Sequence, residues 1–254
     1  MLRIVNCILL LSLISLPRMV SAEDPLWGAL EGRFQIDRLI EVPPISKAGN
    51  AQLKDKEVCG KLDIPDESLV VNAANLGIAN IFVFLPKAPG QIHPDLVEVK
   101  EPAILKCENC RFVPHVMTIR TVQPLRVQMN DKVAHNAHFS PIASSVGSIA
   151  FSPGQERTTT FDRPERIPMM TTCDIHSWMN CYITIFDHPY CAITDKGGKF
   201  RLEKLPAGPH SFRVWHERCG WIIREWKVTI EPGQTTTMPV ETVTAEKLKV
   251  MTAP

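Results

Sequence analysis

Thr172-Cys173-Asp174-Ile175-His176-Ser177-Trp178-Met179 is the stretch from which the rest of the chain is read. It sets a thiol, an imidazole and a thioether at Cys-x-x-His-x-x-Met spacing. Soft sulfur donors mixed with imidazole suit copper, and two histidines, one cysteine and a distant methionine make up a type 1 electron-transfer copper centre. Three donors on one short loop cannot enclose an ion, so another has to come from a neighbouring strand end. Ala134-His135-Asn136 supplies it. The expected metal ligands are therefore His135, Cys173, His176 and Met179, and the remaining sequence has to build a rigid β frame around them.

The flanking text has that character. Asn130-Asp131-Lys132 turns the chain into Val133-Ala134-His135-Asn136-Ala137-His138-Phe139, and Cys181-Tyr182-Ile183-Thr184-Ile185-Phe186 leaves the ligand loop as a strand. Upstream, apolar alternation and breaker residues predict strands at 28–36, 79–85, 111–119 and 125–129, with a surface loop over 86–102. Residues 140–161, rich in Ser, Pro, Gly and Thr, read as loops and short strands. Downstream, 192–202 reads as a hairpin, 211–215 as a strand, and 226–240 as a last hairpin turning at Pro232-Gly233. After Glu241 a polar tail, 242–254, is expected to fray. Few segments carry helical periodicity, so the fold class is all-β, with short strands at regular turn spacing.

Composition narrows the setting. Arg3, an apolar run over 4–16 and the small residues Val20-Ser21-Ala22 read as a secretory signal peptide cut after Ala22, which places the mature chain in the periplasm or outside the cell. The run is too short for a comfortable membrane span. Loss of residues 1–22 removes Arg3 and Arg18 and no acid. The 28 basic residues then fall to 26 against 27 acidic ones, a net charge of about −1. No basic field for nucleic acid exists. About 232 residues remain, enough for one large or two small domains. Their seven cysteines are Cys59, Cys107, Cys110, Cys173, Cys181, Cys191 and Cys219. If Cys173 is a ligand, the other six allow three disulfides in an oxidising space. Cys191 with Cys219, flanking one compact unit, is the expected bridge, and Cys59 is expected to pair with Cys107 or Cys110. Cys107-x-x-Cys110 lacks a second pair for zinc and a βαβ setting for thioredoxin chemistry, so its cysteines read as structural.

Two families are resembled. Ala134-His135-Asn136 with Cys173-x-x-His176-x-x-Met179 resembles the cupredoxins of plastocyanin and amicyanin type, with the shorter amicyanin-like ligand loop. Thr194-Asp195-x-x-Gly198-x-Phe200 through Leu205-Pro206-Ala207-Gly208 resembles the carboxypeptidase regulatory-like, or transthyretin-like, β-sandwich. The opening Gly28 to Gly32 strand and the closing Pro232-Gly233-Gln234-Thr235-Thr236 fit the same pattern. The order implies a discontinuous sandwich, 27–102 and 188–241, with a Greek-key cupredoxin inserted at 103–187. The arrangement resembles extracytoplasmic plastocyanin-like proteins sometimes labelled methylamine-utilisation proteins. Cys181, a second sulfur just past Met179, departs from the pattern, as does a cupredoxin of only about 85 residues.

The resemblance implies one type 1 copper per chain: Cys173 as thiolate, His135 and His176 as imidazoles and Met179 as weak axial ligand. Asn136 is implied to tie the ligand loops together. His138 and Asp174 are taken as neighbours of the ligands, with His138 on the opposite face of its strand. Trp178 and Pro141 are expected to rim the site. His115 and His188, each beside a proline, read as structural, and Trp215-His216-Glu217 is assigned no catalysis. The implied function is one-electron carriage between a dehydrogenase or cytochrome and an acceptor. Two alternatives stay open: Cu(I) storage or delivery helped by His138 and Met170, and a metal-free structural or interaction protein. An enzyme is the least expected class, because Met179 stands where a substrate would need an open metal position.

Overall fold

The computed structural model describes residues 26–99 and 101–249. The leader assigned to 1–22 and the last five residues lie outside them. The chain is almost entirely β, in four sheets. In the first, β1 (Trp27–Ile36) pairs antiparallel with β13 (Lys199–Pro206) and parallel with β16 (Thr235–Thr237) and β17 (Glu241–Val243). The second runs β12 (Cys191–Ile193), β2 (Phe82–Phe84), β14 (Gly208–His216), β15 (Gly220–Ile230). These two sheets enclose a core that includes Leu30, Phe34, Ile36, Val83, Leu202, Phe212 and Val214. Every strand in them comes from before residue 85 or after residue 190.

The strands between pair only with one another. One sheet runs β5 (Val116–Arg120), β11 (Asn180–Phe186), β10 (Met169–Thr172), β7 (His135–Phe139), β8 (Ser148–Phe151). The other runs β4 (Arg111–Val113), β3 (Ala103–Glu108), β6 (Leu125–Met129), β9 (Glu156–Thr159). Leu105, Phe112, Val127, Phe139, Phe161, Ile183 and Ile185 fill the space between them, and Cys173 and Met179 belong to the same cluster.

β2 shows how sequence sets this layering. All three of its residues are apolar and buried. Val83 points into the first core, while Phe82 and Phe84 point the other way, against Val116, Phe186 and Trp215. A strand covered on both faces loses the usual polar alternation. Gly32 serves a close approach: a Cβ there would stand 2.7 Å from the Phe200 ring.

Several elements differ from the sequence expectation. The single strand expected at 111–119 is two, because the chain crosses at Pro114 from the β3 sheet to the β11 sheet. The 192–202 segment is no hairpin: β12 pairs with β2 and β13 with β1, on opposite sides of the core. The last hairpin is likewise absent, since Pro232-Gly233 carries the chain across to run parallel with β1. The expected fraying after Glu241 does not begin there. β17 continues along β1, and a short helix α1 (Ala245–Lys249) buries Ala245 and Leu248 in the first core.

The cysteine pairing also needs correction. Cys59 is bonded to Cys110, one of its two expected partners. Cys191 and Cys219 are free thiols, as are Cys107 and Cys181. Cys191 faces the layer between the two sheet pairs, near Thr184, whereas Cys219 packs on the first core. They pack in different clusters, and the expected bridge does not form.

Candidate metal centre

Strand pairing brings the two ligand segments together. Thr171 lies opposite Phe139 and Thr172 opposite His138, so Cys173 follows β10 out beside the start of β7. Along β7, His135, Ala137 and Phe139 share the inward face, while His138 stands outside, as period-two alternation requires. Residues 173–179 then form the connection from β10 to β11. The Cys173 amide donates to the Met179 carbonyl at 3.1 Å and the Met179 amide to the His176 carbonyl at 2.9 Å. These bonds curl His176 back toward Cys173.

The result is a compact donor group. Nδ1 of His135 and Nδ1 of His176 each lie 3.8 Å from Cys173 Sγ. The two imidazole centroids are 4.5 Å apart. One ligand atom from each of the three residues falls within 4.8 Å of the others, so they could hold a metal ion. Both histidines are fully buried, and Cys173 and Met179 are almost so. Met179 contributes its backbone to the loop and is among the residues lining a small cavity with Phe112, His115, Trp178 and Asn180. A second group, Cys110 with Asp131 and His135, also lies close together. It is no thiolate site, because the Cys110 sulfur is spent in the disulfide.

Asn136 joins the two segments. Its Oδ1 accepts from the Asp174 amide at 2.8 Å and from Cys173 Sγ at 3.4 Å, and its Nδ2 donates to Ser148 Oγ and the Asp174 carboxylate. His138 and Asp174 form an exposed pair, Nδ1 lying 3.0 Å from Oδ1. Neither reaches the donor group; they act on it through Asn136. Met170 is on the exposed face of β10, away from the donors. Trp178 packs edge-on against His176, centroids 5.0 Å apart, and donates from Nε1 to the Cys110 carbonyl.

The outer nitrogens of the histidines are also occupied. His135 Nε2 lies 3.0 Å from Asp131 Oδ2, and His176 Nε2 lies 2.8 Å from Asp55 Oδ2. Sequence reasoning found neither carboxylate. Asp131 had a local signal, four residues before His135 in a turn. Asp55 had none, being 121 residues from its partner.

Electrostatics separates Cys173 from the other thiols. Burial pushes it up, but hydrogen bonds from His135, His176 and the Asn136 region outweigh that and bring it down to about 5. His135 moves the opposite way: burial lowers it, and Asp131 with the Cys173 thiolate raises it further. Cys107 and Cys181 lack such partners and burial drives both upward. An odd cysteine count alone could not single out Cys173, since four other thiols stay free. Its two imidazole neighbours do.

No protein-family model matches the chain, and neither does any curated protein. Among solved structures, the chain is similar to a Cu-containing nitrite reductase from Thermus scotoductus SA-01, at 18% identity and TM-score 0.31. That match covers 39% of this chain and 25% of the reductase. It is also similar to a purple cupredoxin from Nitrosopumilus maritimus, at 15% identity and TM-score 0.29, over 33% of this chain and 98% of that one. An oxidized mutant of amicyanin matches at 13% identity and TM-score 0.30, covering 35% and 86%. The chain thus spans a quarter of the reductase's length and most of the two smaller proteins.

Proposed function

We propose that this protein is a type 1 copper protein that carries single electrons between redox partners outside the cytoplasm. His135, Cys173 and His176 would be the strong ligands and Met179 a fourth, weaker one. The observation that carries the reading is the convergence of two Nδ1 atoms on one buried sulfur. The donors fit copper by their chemistry: one thiolate held low and two imidazoles, both with their outer nitrogens already engaged. Copper held there supplies a one-electron couple.

What the chain contributes is rigidity and exclusion of water. Asn136 fixes Cys173 and Asp174 relative to β7, and Asp131 and Asp55 fix the imidazole planes. A donor set that cannot relax between oxidation states keeps reorganisation small. The burial of all three donors favours a carrier over an enzyme. Among the described residues no helix is long and apolar enough to cross a membrane. Residues 103–187 would be the cupredoxin, set into a carboxypeptidase regulatory-like sandwich of 27–102 and 188–241. The leader at 1–22 would export the chain to meet a dehydrogenase or cytochrome.

The test is Cu(II) titration followed by visible absorption and EPR, with Cys173→Ser beside the wild type. One copper per chain with an intense sulfur-to-copper band and narrow hyperfine splitting, both lost in the variant, supports the reading. Copper bound without the band moves the function to Cu(I) storage or delivery. No copper leaves a structural scaffold.

A further inference from the structure

Residues 46–64 belong by sequence to the segment before β2, far from the ligand loops, yet they close over the metal centre. An antiparallel bridge between Ser46 and Ile64 pins the segment's base. Leu53, Val58, Cys59, Leu62 and Ile64 pack with Cys110, Val133 and Trp178 in a small cluster of their own. From its middle, Asp55 reaches His176 Nε2 at 2.8 Å. That imidazole is fully buried.

The Cys59–Cys110 disulfide lies at the junction of both carboxylate contacts. On one side the Cys59 amide donates to the Asp55 carbonyl at 2.9 Å. On the other, the Cys110 amide donates to Asp131 Oδ2, the oxygen that also holds His135 Nε2. The Cys110 carbonyl accepts from Trp178 Nε1, and Trp178 packs on His176. One covalent bond therefore links the carboxylates behind both histidines and the indole beside one of them.

We propose that residues 46–64 form a permanent cap on the metal centre, in which Asp55 is a positioning residue for His176 and the Cys59–Cys110 disulfide is the strut that holds Asp55 and Asp131 in register. The proposal rests on the copper reading above and adds how the centre is tuned and sealed. A carboxylate behind a ligating imidazole fixes its tautomer and ring plane and raises its basicity. Its negative charge favours the more highly charged metal state. The cap thus keeps outside ligands off His176 and holds the reduction potential down.

The experiment uses the copper-loaded full chain with Asp55→Asn, Asp55→Ala and, as a control within the same segment, Asp63→Asn, whose carboxylate accepts from the Ala48 amide. Copper affinity is measured by chelator competition, potential by redox titration, and access by adding imidazole while watching the charge-transfer band. Asp55→Ala is expected to lose about 10–100-fold in affinity. It should shift the Cu(II)/Cu(I) preference about tenfold toward Cu(I), a rise of about 59 mV, and imidazole should perturb its spectrum but not the wild type's. Asp55→Asn keeps a hydrogen-bonding side chain without the charge and is expected to raise the potential with a smaller gain in access. Asp63→Asn should match wild type in potential and access. A Cys59→Ser/Cys110→Ser double variant that folds should reproduce the Asp55→Ala phenotype. A wild type that forms the sulfur-to-copper band while Asp55→Ala keeps its potential and its imidazole resistance overturns the cap and leaves the copper reading standing. A wild type that forms no such band overturns the copper reading, and the cap with it.

Discussion

Acid should unfold this protein through two histidines that lie outside the His135–Cys173–His176 donor group. His188 is buried between Phe186 and Tyr190, and its Nδ1 accepts from the Tyr190 amide at 3.2 Å. Burial brings it down to about 4, with Arg120 helping and Asp187 opposing. His216 is buried, and its Nδ1 accepts from the Arg218 amide at 3.2 Å. Burial, then Arg218 and His115, bring it down to about 3. Both folded values lie below the usual 6.5. As pH falls from that value toward 4, the unfolded chain takes up two protons that the folded chain refuses, so stability is lost. Linkage puts the loss at roughly 2 kcal/mol per histidine at pH 5, or about 4 kcal/mol together. His115 works the other way: burial lowers it, but its bond to Glu217 at 2.5 Å wins and raises it. Its stabilisation is complete below the unfolded value and lost as pH rises through the folded one, so it offsets part of the acid loss. Substitution isolates the two contributions. Asn presents Oδ1 where the imidazole presents Nδ1, so His188→Asn and His216→Asn retain an acceptor without the titration. Urea unfolding of the metal-free protein at pH 6 and 5, at fixed ionic strength, is the assay. Between pH 6 and 5 each variant should flatten the fall in stability by about 1.2 kcal/mol, and the double variant by about twice that. A double variant with the wild-type slope would refute the reasoning.

The tie, the strut and one loop give further predictions. Asn136→Ala removes the acceptor for the Asp174 amide and Cys173 Sγ; it should cost about 1–3 kcal/mol in urea unfolding and broaden the copper spectrum of the loaded protein. Loss of the Cys59–Cys110 bridge frees a loop with a sequence separation of 51. By loop-closure entropy the unfolded chain gains about 4 kcal/mol, measurable as a drop in the urea midpoint of the double serine variant. Glu165 is buried and accepts from the amides of Ile142, Ala143 and Ser144. Glu165→Ala should release that loop, read as faster hydrogen exchange at those three amides while exchange at β11 is unchanged.

Much of the donor group was legible because its chemistry is local. Cys173 and His176 share one loop, and His135 declares itself by the adjacent Asn136. The all-β class was equally legible, since alternation and turn residues act within a few positions. Pairing was not. The segments 192–202 and 226–240 carry hairpin text, but their strands join different sheets, because β1 offers both its edges to late strands and the core beneath draws Phe200 and Leu202 inward. No local pattern encodes which edge is free. The cysteines fail for the same reason: Cys191 and Cys219 are close in sequence to one compact unit and pack in different clusters.

Asp55 marks where local reading stops and chain economy begins. A carboxylate has to reach His176 from outside the ligand loops, since residues 173–179 spend their one acid, Asp174, on Asn136 and His138. Asp131 already serves His135. The remaining direction is the side covered by residues 46–64, and a loop of that length would wander if only its ends were held. Bonding Cys59 to Cys110 anchors it four residues from Asp55, at the residue whose amide already holds Asp131. The Cys59–Cys110 disulfide therefore sits where it ties the segment that carries Asp55 to the turn that positions Asp131, behind both histidines of the candidate metal centre.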